Sequence, residues 1–239
     1  MNTNTTHGRN APAEQADHSG PPVHADRPGP DWPHVYRAGV PVSVDAPVLL
    51  LLHGTGGNEE EILTLADALD PAATVLSPRG RATEGGMNRW FLRLSEGVFD
   101  VDDVVRRAGE LAGFLAWARA HYELGNRPIV AIGFSNGANI ALATALLHPD
   151  ALRRVVAFSG MFPLDGRGLT TDLTDIEVLL LNGRSDPMAP LHSVGTVEAA
   201  FTARGARVEL ELRDGGHGIA ATDVAAARIW LDRHARTAG

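Results

Sequence analysis

The stretch from Pro128 to Leu147 constrains the fold more than any other part of the chain. It begins with an apolar run rich in β-branched residues, which predicts a buried strand. It ends in an Ala/Leu-rich run, which predicts a helix. Residues 133–137 join the two and spell Gly-Phe-Ser-Asn-Gly, a G-x-S-x-G sequence. A sharp strand-to-helix turn pushes the central hydroxyl out at the sheet edge, and its glycines avoid neighbouring backbone. Ser135 is therefore the candidate nucleophile, with a helix-capping serine as the alternative.

Strands and helices alternate along most of the chain. A short edge strand is predicted at 34–39, and further strands at 47–53, 73–77, 154–158, 177–181 and 207–212. Helices are predicted at 59–69, from 101 onward with Asp100 as its cap, at 191–204 and at 223–235. This alternation indicates the α/β class, with a mainly parallel central sheet and helices on both faces.

The remaining segments set the domain organisation. Residues 1–32 are rich in Pro, Gly, Asn and His and predict a disordered tail, in which His7, His18 and His24 are expected to be solvated. Residues 33–239 predict a single domain. The segment 78–100 shows no clear period, so an irregular and functional loop is expected there. No insertion is long enough to form a substantial lid domain.

Composition excludes much chemistry. The 239 residues contain no cysteine and 21 basic residues, all of them arginine, so thiol nucleophiles, Walker lysines and Schiff bases are impossible. A formal net charge of -8 disfavours binding to nucleic acid or to anionic membranes. No apolar run approaches membrane-spanning length, and we expect no secretory signal because the N-terminal residues lack a basic region followed by an apolar one. We expect a cytoplasmic protein that needs no cofactor and no metal.

Two further residues complete a catalytic constellation with Ser135. Asp186 follows the predicted strand 177–181, and His217 follows the last predicted strand. In a parallel α/β sheet, reactive residues gather at the carboxyl ends of the strands. The chain order Ser, Asp, His is that of α/β-hydrolases. His217 would take the serine proton, and Asp186 would fix the imidazole tautomer. Taken singly, a turn aspartate and a loop histidine are the alternatives.

A glycine-rich turn follows the first long apolar strand. Residues 53–57 spell His-Gly-Thr-Gly-Gly, at the place where this fold carries its second oxyanion donor. We expect the backbone N–H groups of Thr55 and Asn136 to form the oxyanion hole, with His53 orienting the loop. A phosphate-binding loop is excluded because no G-K-[ST] follows.

These motifs resemble one family. Leu-His-Gly-Thr-Gly-Gly-Asn-Glu-Glu, Leu-Ser-Pro-Arg-Gly, Gly-Val-Phe-Asp, Gly-Phe-Ser-Asn-Gly-Ala-Asn and Gly-Gly-His together are similar to the phospholipase/carboxylesterase family of small α/β-hydrolases, which includes acyl-protein thioesterases. The resemblance covers roughly residues 35–235. It implies metal-independent hydrolysis of esters or thioesters, with catalytic roles for Ser135, Asp186 and His217. Asn136 stands where many relatives carry Gln, a difference that leaves the backbone N–H in place.

The resemblance extends to the segment around Met87. Together with the threonine after His-Gly, the segment from Met87 to Phe91 resembles bacterial members associated with hydroquinone or quinone resistance. Substrate-binding residues are expected at Met87, Trp90, Phe91 and Met188, with loop anchoring as the alternative for the two aromatic residues. Arg79 and Arg89 are candidates for a substrate carboxylate, with solvated surface arginines as the alternative.

The expected activity is cleavage of small carboxylic esters or thioesters through an acyl-enzyme. Two other functions stay open: a non-catalytic ligand-binding module on a hydrolase fold, and an amidase or peptidase. The expected partner is a small-molecule ester, with neither nucleic acid nor membrane, and assembly as a homodimer is left open.

Overall fold

The computed structural model describes residues 1–2, 31–40, 46–95 and 97–235. Most of the predicted tail, with His7, His18 and His24, lies outside these residues. Trp32, which the sequence placed at the end of the tail, is buried and only 4% exposed. Its ring packs against Phe114 with 4.9 Å between ring centroids. The folded body therefore already includes this tryptophan.

The strands of the described residues form one large sheet and two small hairpins. They are β1 (His34–Arg37), β2 (Val48–Leu52), β3 (Thr74–Pro78), β4 (Ala82–Glu84), β5 (Met87–Arg89), β6 (Arg93–Ser95), β7 (Val98–Phe99), β8 (Ile129–Phe134), β9 (Arg154–Phe158), β10 (Glu177–Gly183) and β11 (Arg207–Arg213). The large sheet has the order β1-β3-β2-β8-β9-β10-β11. Only β1, at one edge, runs antiparallel to its neighbour. The predicted edge strand and mainly parallel sheet are confirmed.

Helices cover both faces of this sheet, as the strand pattern predicted. They are α1 (Leu63–Leu69), α2 (Val101–His121), α3 (Asn136–Leu147), α4 (Leu191–Thr202) and α5 (Ala221–Ala235). Alternate residues of β2 point to opposite sides of the sheet. Leu50 and Leu52 belong to the core shared with α2, α3 and α4. Leu49 and Leu51 belong to the core shared with α1 and α5. This two-sided burial explains why β2 is continuously apolar.

Two expectations about local structure are corrected. Helix α1 begins at Leu63 rather than Glu59 and has no acidic residue in its first turn. The side chain of Asn58 accepts from the backbone N–H groups of Glu60 and Glu61, each at 2.9 Å, and this turn competes with helix. The segment 78–100 is not irregular throughout, because β4–β5 and β6–β7 form antiparallel hairpins. Strands of two or three residues are too short to give a readable period.

The helix cap at Asp100 is confirmed, since its side chain accepts from the backbone N–H of Asp103 at 3.1 Å. Among residues 46–95 and 97–235, no additional domain is inserted into the sheet. Within the part of the chain that the structure describes, no helix is both long and apolar enough to cross a membrane.

Candidate active site

Ser135 lies in a strained turn between β8 and α3. Its backbone has φ 52° and ψ -115°, a conformation that residues with side chains rarely adopt. A Cβ on Gly137 would lie 1.9 Å from the carbonyl oxygen of Leu52, and one on Gly133 would lie 2.6 Å from the backbone of Ala138. The predicted need for glycine at both positions is confirmed. Ser135 thus lies between two positions at which the backbone is too closely packed for a side chain.

The loops after β10 and β11 bring two more side chains to Ser135. The His217 Nδ1 atom lies 2.8 Å from Asp186 Oδ2, and its Nε2 atom lies 2.9 Å from Ser135 Oγ. A carboxylate oxygen only accepts, so Nδ1 carries a proton and, in the neutral ring, Nε2 accepts from the serine hydroxyl. Three residues distant in sequence thus form one continuous hydrogen-bonded chain.

The carboxylate of Asp186 is fully buried but well supplied with donors. Its side chain has no exposed surface. Oδ1 accepts from the backbone N–H groups of Met188 at 2.8 Å and Ala189 at 3.0 Å, while Oδ2 faces His217. A buried carboxylate is tolerated only when such hydrogen bonds replace its water. Oδ1 therefore binds the backbone and Oδ2 binds His217, and rotation of the carboxylate would break both sets of hydrogen bonds.

Two backbone N–H groups near Ser135 suit an oxyanion. Asn136 opens α3, and the first N–H groups of a helix lack acceptors within it. In the loop after β2, two N–H groups already have carbonyl acceptors: Gly56 N–H donates to Asn88 O at 2.9 Å, and Gly57 N–H donates to Gly54 O at 3.1 Å. The candidate donor in this loop is therefore the N–H of Thr55. Thr55 and Asn136 both lie in the wall of the cavity that contains Ser135. They remain the candidates for the oxyanion hole.

His53 links this loop to the end of β3. Its Nδ1 lies 2.7 Å from Gly54 O, and its Nε2 accepts from the backbone N–H of Gly80 at 2.9 Å. The ring is 2% exposed, and burial lowers the pKa of His53 below its usual range. Since Nε2 must stay unprotonated to accept from Gly80, this hydrogen bond requires the neutral ring. The expected orienting role of His53 is consistent with these contacts.

The lowered pKa of His53 predicts an acid-sensitive fold. A folded pKa below the unfolded value of about 6.5 gives a stabilisation that is complete above about pH 6.5 and is lost as pH falls through the folded pKa. His53→Gln offers an amide oxygen to Gly80 but does not titrate. Melting temperatures measured between about pH 8 and about pH 5 should therefore fall more steeply for the wild type than for the variant. Identical pH dependence in the two proteins would contradict this expectation.

A cavity of about 230 Å³ has Ser135 in its wall. Met188, one of the predicted substrate-binding residues, lines it and is 48% exposed. Met87 is also exposed, and its sulfur lies 3.8 Å from the position a Cβ on Gly56 would occupy. Met188 lies on the loop after β10, whereas Met87 is the first residue of β5 and is not among the residues that line the cavity.

Trp90 and Phe91 do not line this cavity, contrary to expectation. They are 2% and 0% exposed and belong to the core. The indole N–H of Trp90 donates to His53 O at 2.9 Å, and its backbone N–H donates to Asn136 Oδ1 at 2.7 Å. The alternative interpretation, that these aromatic residues anchor the loop, fits the structure. An aromatic residue in a loop near a predicted site gives no indication of which way its ring points.

The two arginines proposed for a substrate carboxylate already contact protein groups. Arg79 donates to both carboxylate oxygens of Glu59, at 2.6 and 2.5 Å, and this pairing lowers the pKa of Glu59. Arg89 is 3% exposed. It lies 3.3 Å from Glu84 and donates to Thr55 Oγ1 at 3.1 Å. Arg79 therefore stabilises a loop and is not among the residues that line the cavity, whereas Arg89 lies in the cavity wall and also contacts Thr55.

Sequence reasoning missed several residues of the cavity wall. Ser159 and Met161 follow β9, the strand beside β8, and Asn139 lies one helical turn after Ser135. The rule that carboxyl ends of strands build the site could have indicated the first two. Phe99 lines the cavity from β7, and the Gly-Val-Phe-Asp motif that contains it was the signal that could have indicated this residue.

Comparison with known proteins shows the family of this chain. The family model described as phospholipase/carboxylesterase matches residues 40–235. MhqD of Bacillus subtilis (strain 168), whose name describes it as a hydrolase, is 36% identical over 197 residues, which are 82% of this chain and 96% of that protein. The esterase YpfH of Escherichia coli (strain K12) is 30% identical over 182 residues, 72% of this chain and 76% of that protein.

A solved structure gives the same result. The crystal structure of the Bacillus cereus carboxylesterase superposes with a TM-score of 0.80 at 38% identity, covering 85% of this chain and 95% of that one. The α/β-hydrolase fold predicted from the sequence is thereby confirmed. The chain belongs to the phospholipase/carboxylesterase family, a family of carboxylic ester hydrolases.

Proposed function

We propose that the protein is a serine carboxylesterase that cleaves small carboxylic esters through Ser135, His217 and Asp186. The observation that carries this proposal is the hydrogen-bonded chain from Ser135 Oγ through His217 to Asp186, at 2.9 and 2.8 Å. Neutral serine is a poor nucleophile, and an adjacent base held by a carboxylate is the usual means of activating it.

The first half-reaction makes an acyl-enzyme. His217 Nε2 takes the hydroxyl proton while Ser135 Oγ bonds to the ester carbonyl carbon, whose oxygen becomes negatively charged. The N–H groups of Thr55 and Asn136 donate to this oxyanion. The imidazolium, stabilised by Asp186, then protonates the leaving alcohol as its bond to carbon breaks. Water repeats the sequence on the acyl-enzyme, with His217 as base, and releases the acid and free Ser135.

The surroundings of the cavity favour a small and partly apolar substrate. Its volume of about 230 Å³ is below the range of about 300–1,000 Å³ usual for drug-sized ligands. Met161, Met188 and Phe99 line it, and methionine adapts readily to different apolar shapes. Thioesters share the carbonyl chemistry and belong in the same proposal.

A substrate panel tests the proposed activity. The wild type should turn over short-chain aryl esters and thioesters, with and without a chelator, and should act far more slowly on matched anilides, whose leaving groups are poorer. Faster turnover of anilides than of esters would indicate an amidase. Ligand binding without turnover of any ester would indicate a binding module and would contradict the proposal.

Met188 and Trp90 should respond differently to truncation. Met188→Ala should change the ratio of kcat/KM between longer and shorter esters by about tenfold, because apolar contacts discriminate by about 1–3 kcal/mol.

Trp90→Ala should destabilise the fold by about 3–5 kcal/mol, as for other buried tryptophans, and should lower kcat/KM for all esters alike.

The same ester series and melting temperatures give the comparison. Ile229→Ala is the matched control for Met188→Ala, since Ile229 is an apolar residue 62% exposed on α5 and should change neither quantity. A selective change of ester preference in Trp90→Ala, without loss of stability, would restore the pocket role first expected for it.

A further inference from the structure

The loop that carries His217 is wrapped around one arginine. Arg213, the last residue of β11, donates from Nη1 to Asp214 O at 3.2 Å and from Nη2 to Gly216 O at 3.1 Å and Gly218 O at 2.7 Å. Three carbonyls of a five-residue loop thus converge on a single guanidinium. The side chain is 17% exposed, so it is largely enclosed by the loop that it holds.

The guanidinium is itself fixed from α5. Its Nε donates to Asp223 Oδ2 at 2.7 Å, and the Asp223 side chain is 5% exposed. The same carboxylate oxygen accepts from the backbone N–H of Ala220 at 2.8 Å. Because both side chains are largely shielded from water, their mutual attraction is less screened than that of a surface ion pair. Through Asp223, the position of the loop is therefore fixed by α5 as well as by the end of β11.

Ser159 forms hydrogen bonds with the other end of the same loop. Its hydroxyl donates to Gly218 O at 3.0 Å and accepts from Gly218 N–H at 3.3 Å. Ser159 has φ 51° although it is not glycine, and strain of this kind persists where the surroundings hold it and often marks functional sites. Gly218, next to His217, is thus held by Arg213 and by Ser159.

We propose that Arg213 is a positioning residue, which holds the His217 imidazole in line with Ser135 by fixing the backbone of residues 214–218. The inference rests on the catalytic role proposed for His217. A guanidinium suits this task because its planar, divergent N–H groups reach several acceptors at once, whereas the ammonium of lysine cannot span the same three carbonyls and Asp223. A displacement of about 1 Å at a reacting group can cost about 100-fold in rate.

Activity and stability should separate in two variants. Arg213→Gln should lower kcat/KM for an activated aryl ester by about 10- to 100-fold. Arg213→Lys keeps a charge beside Asp223, so its melting temperature should lie closer to that of the wild type, yet its activity should remain low. The rate at which a fluorophosphonate labels Ser135 should fall in parallel. Full activity in Arg213→Lys would overturn the proposal, and so would full activity in Arg213→Gln.

The chain offers a matched control pair. Arg233 on α5 donates to Glu209 on β11 at 2.7 Å, so this ion pair joins the same helix and strand, but its side chains are 54% and 42% exposed. Arg233→Gln should leave kcat/KM unchanged. An equal loss of activity in Arg233→Gln would show that any weakening of the β11–α5 contact suffices and would overturn a specific role for Arg213.

The His217→Ala background shows whether Arg213 acts through the imidazole. Residual turnover is measured in this background with free imidazole as an external base and without it. Adding Arg213→Gln should then cause no further loss, because no imidazole remains on the loop. A further loss as large as in the wild-type background would overturn the proposal. If His217→Ala alone keeps wild-type activity, the proposed catalytic function has failed instead, and the two failures are therefore distinguishable.

Discussion

Ser135→Ala is expected to lower kcat for ester hydrolysis by a factor of about 10⁵–10⁶, the scale seen when the nucleophile of a serine hydrolase is removed. The remaining groups can still bind the substrate and polarise its carbonyl, but no atom is left to form the acyl-enzyme. Labelling by a fluorophosphonate should disappear in the same variant. Turnover of a short-chain aryl ester and mass spectrometry of the labelled protein are the measurements.

Ser135→Ala should still fold, and glycine at the same position should raise the free energy of unfolding. Ser135 has φ 52°, where a non-glycine residue costs on the order of 1–3 kcal/mol. Ser135→Gly should therefore be as inactive as Ser135→Ala but should melt at a higher temperature. Labelling or turnover that survives either substitution would remove Ser135 from the mechanism. A lower melting temperature for the glycine variant would show that its backbone is not strained in solution.

Asp186→Asn is expected to lower kcat by about 10⁴ through a reversal of the histidine tautomer. The backbone N–H groups of Met188 and Ala189 both donate to Oδ1, so the amide oxygen of asparagine must occupy this position. Its NH2 group then faces His217 Nδ1 and can only donate to it. The ring must carry its proton on Nε2, pointing at Ser135 Oγ, and can no longer take the serine proton.

This prediction depends on orientation and not on charge alone. Asp186→Ala removes the carboxylate without imposing the wrong tautomer, so it should retain at least as much activity as Asp186→Asn, at a larger cost in stability. A crystal structure of the asparagine variant should show His217 within hydrogen-bond reach of the amide. Activity of Asp186→Asn within tenfold of the wild type would exclude the proposed role of Asp186.

The parts of the site that follow strands were predictable from the sequence. Ser135 and Asp186 follow apolar strands, and His217 follows a strand in which apolar and charged residues alternate. The parallel arrangement of these strands places their carboxyl ends at one edge of the sheet. In the structure, His217 lies within hydrogen-bond distance of both Ser135 and Asp186. The glycines of the Ser135 turn were predictable for the same reason, since the turn admits no Cβ.

Other features depend on contacts that no local pattern reveals. Trp90 is buried, and its indole N–H donates to the backbone carbonyl of His53. Such a partner is visible only in three dimensions. Arg213 resembles any strand-terminal arginine until the loop that follows folds back over it. The hairpins between residues 82 and 99 are too short for periodicity, and α1 begins late because Asn58 forms a turn of its own.

The hydrogen bond from the backbone of Trp90 to the Asn136 side chain links two positions that are distant in sequence, so the two should be engineered together. The N–H of Trp90 donates to Asn136 Oδ1 at 2.7 Å, a distance that depends on the length of the asparagine side chain. The glutamine that the family resemblance associates with this position is one methylene longer and would need a differently placed segment opposite it. Chimaeras with other family members should therefore exchange the turn that contains Asn136 together with the segment between β5 and β6 that contains Trp90. Either segment exchanged alone would lose this hydrogen bond.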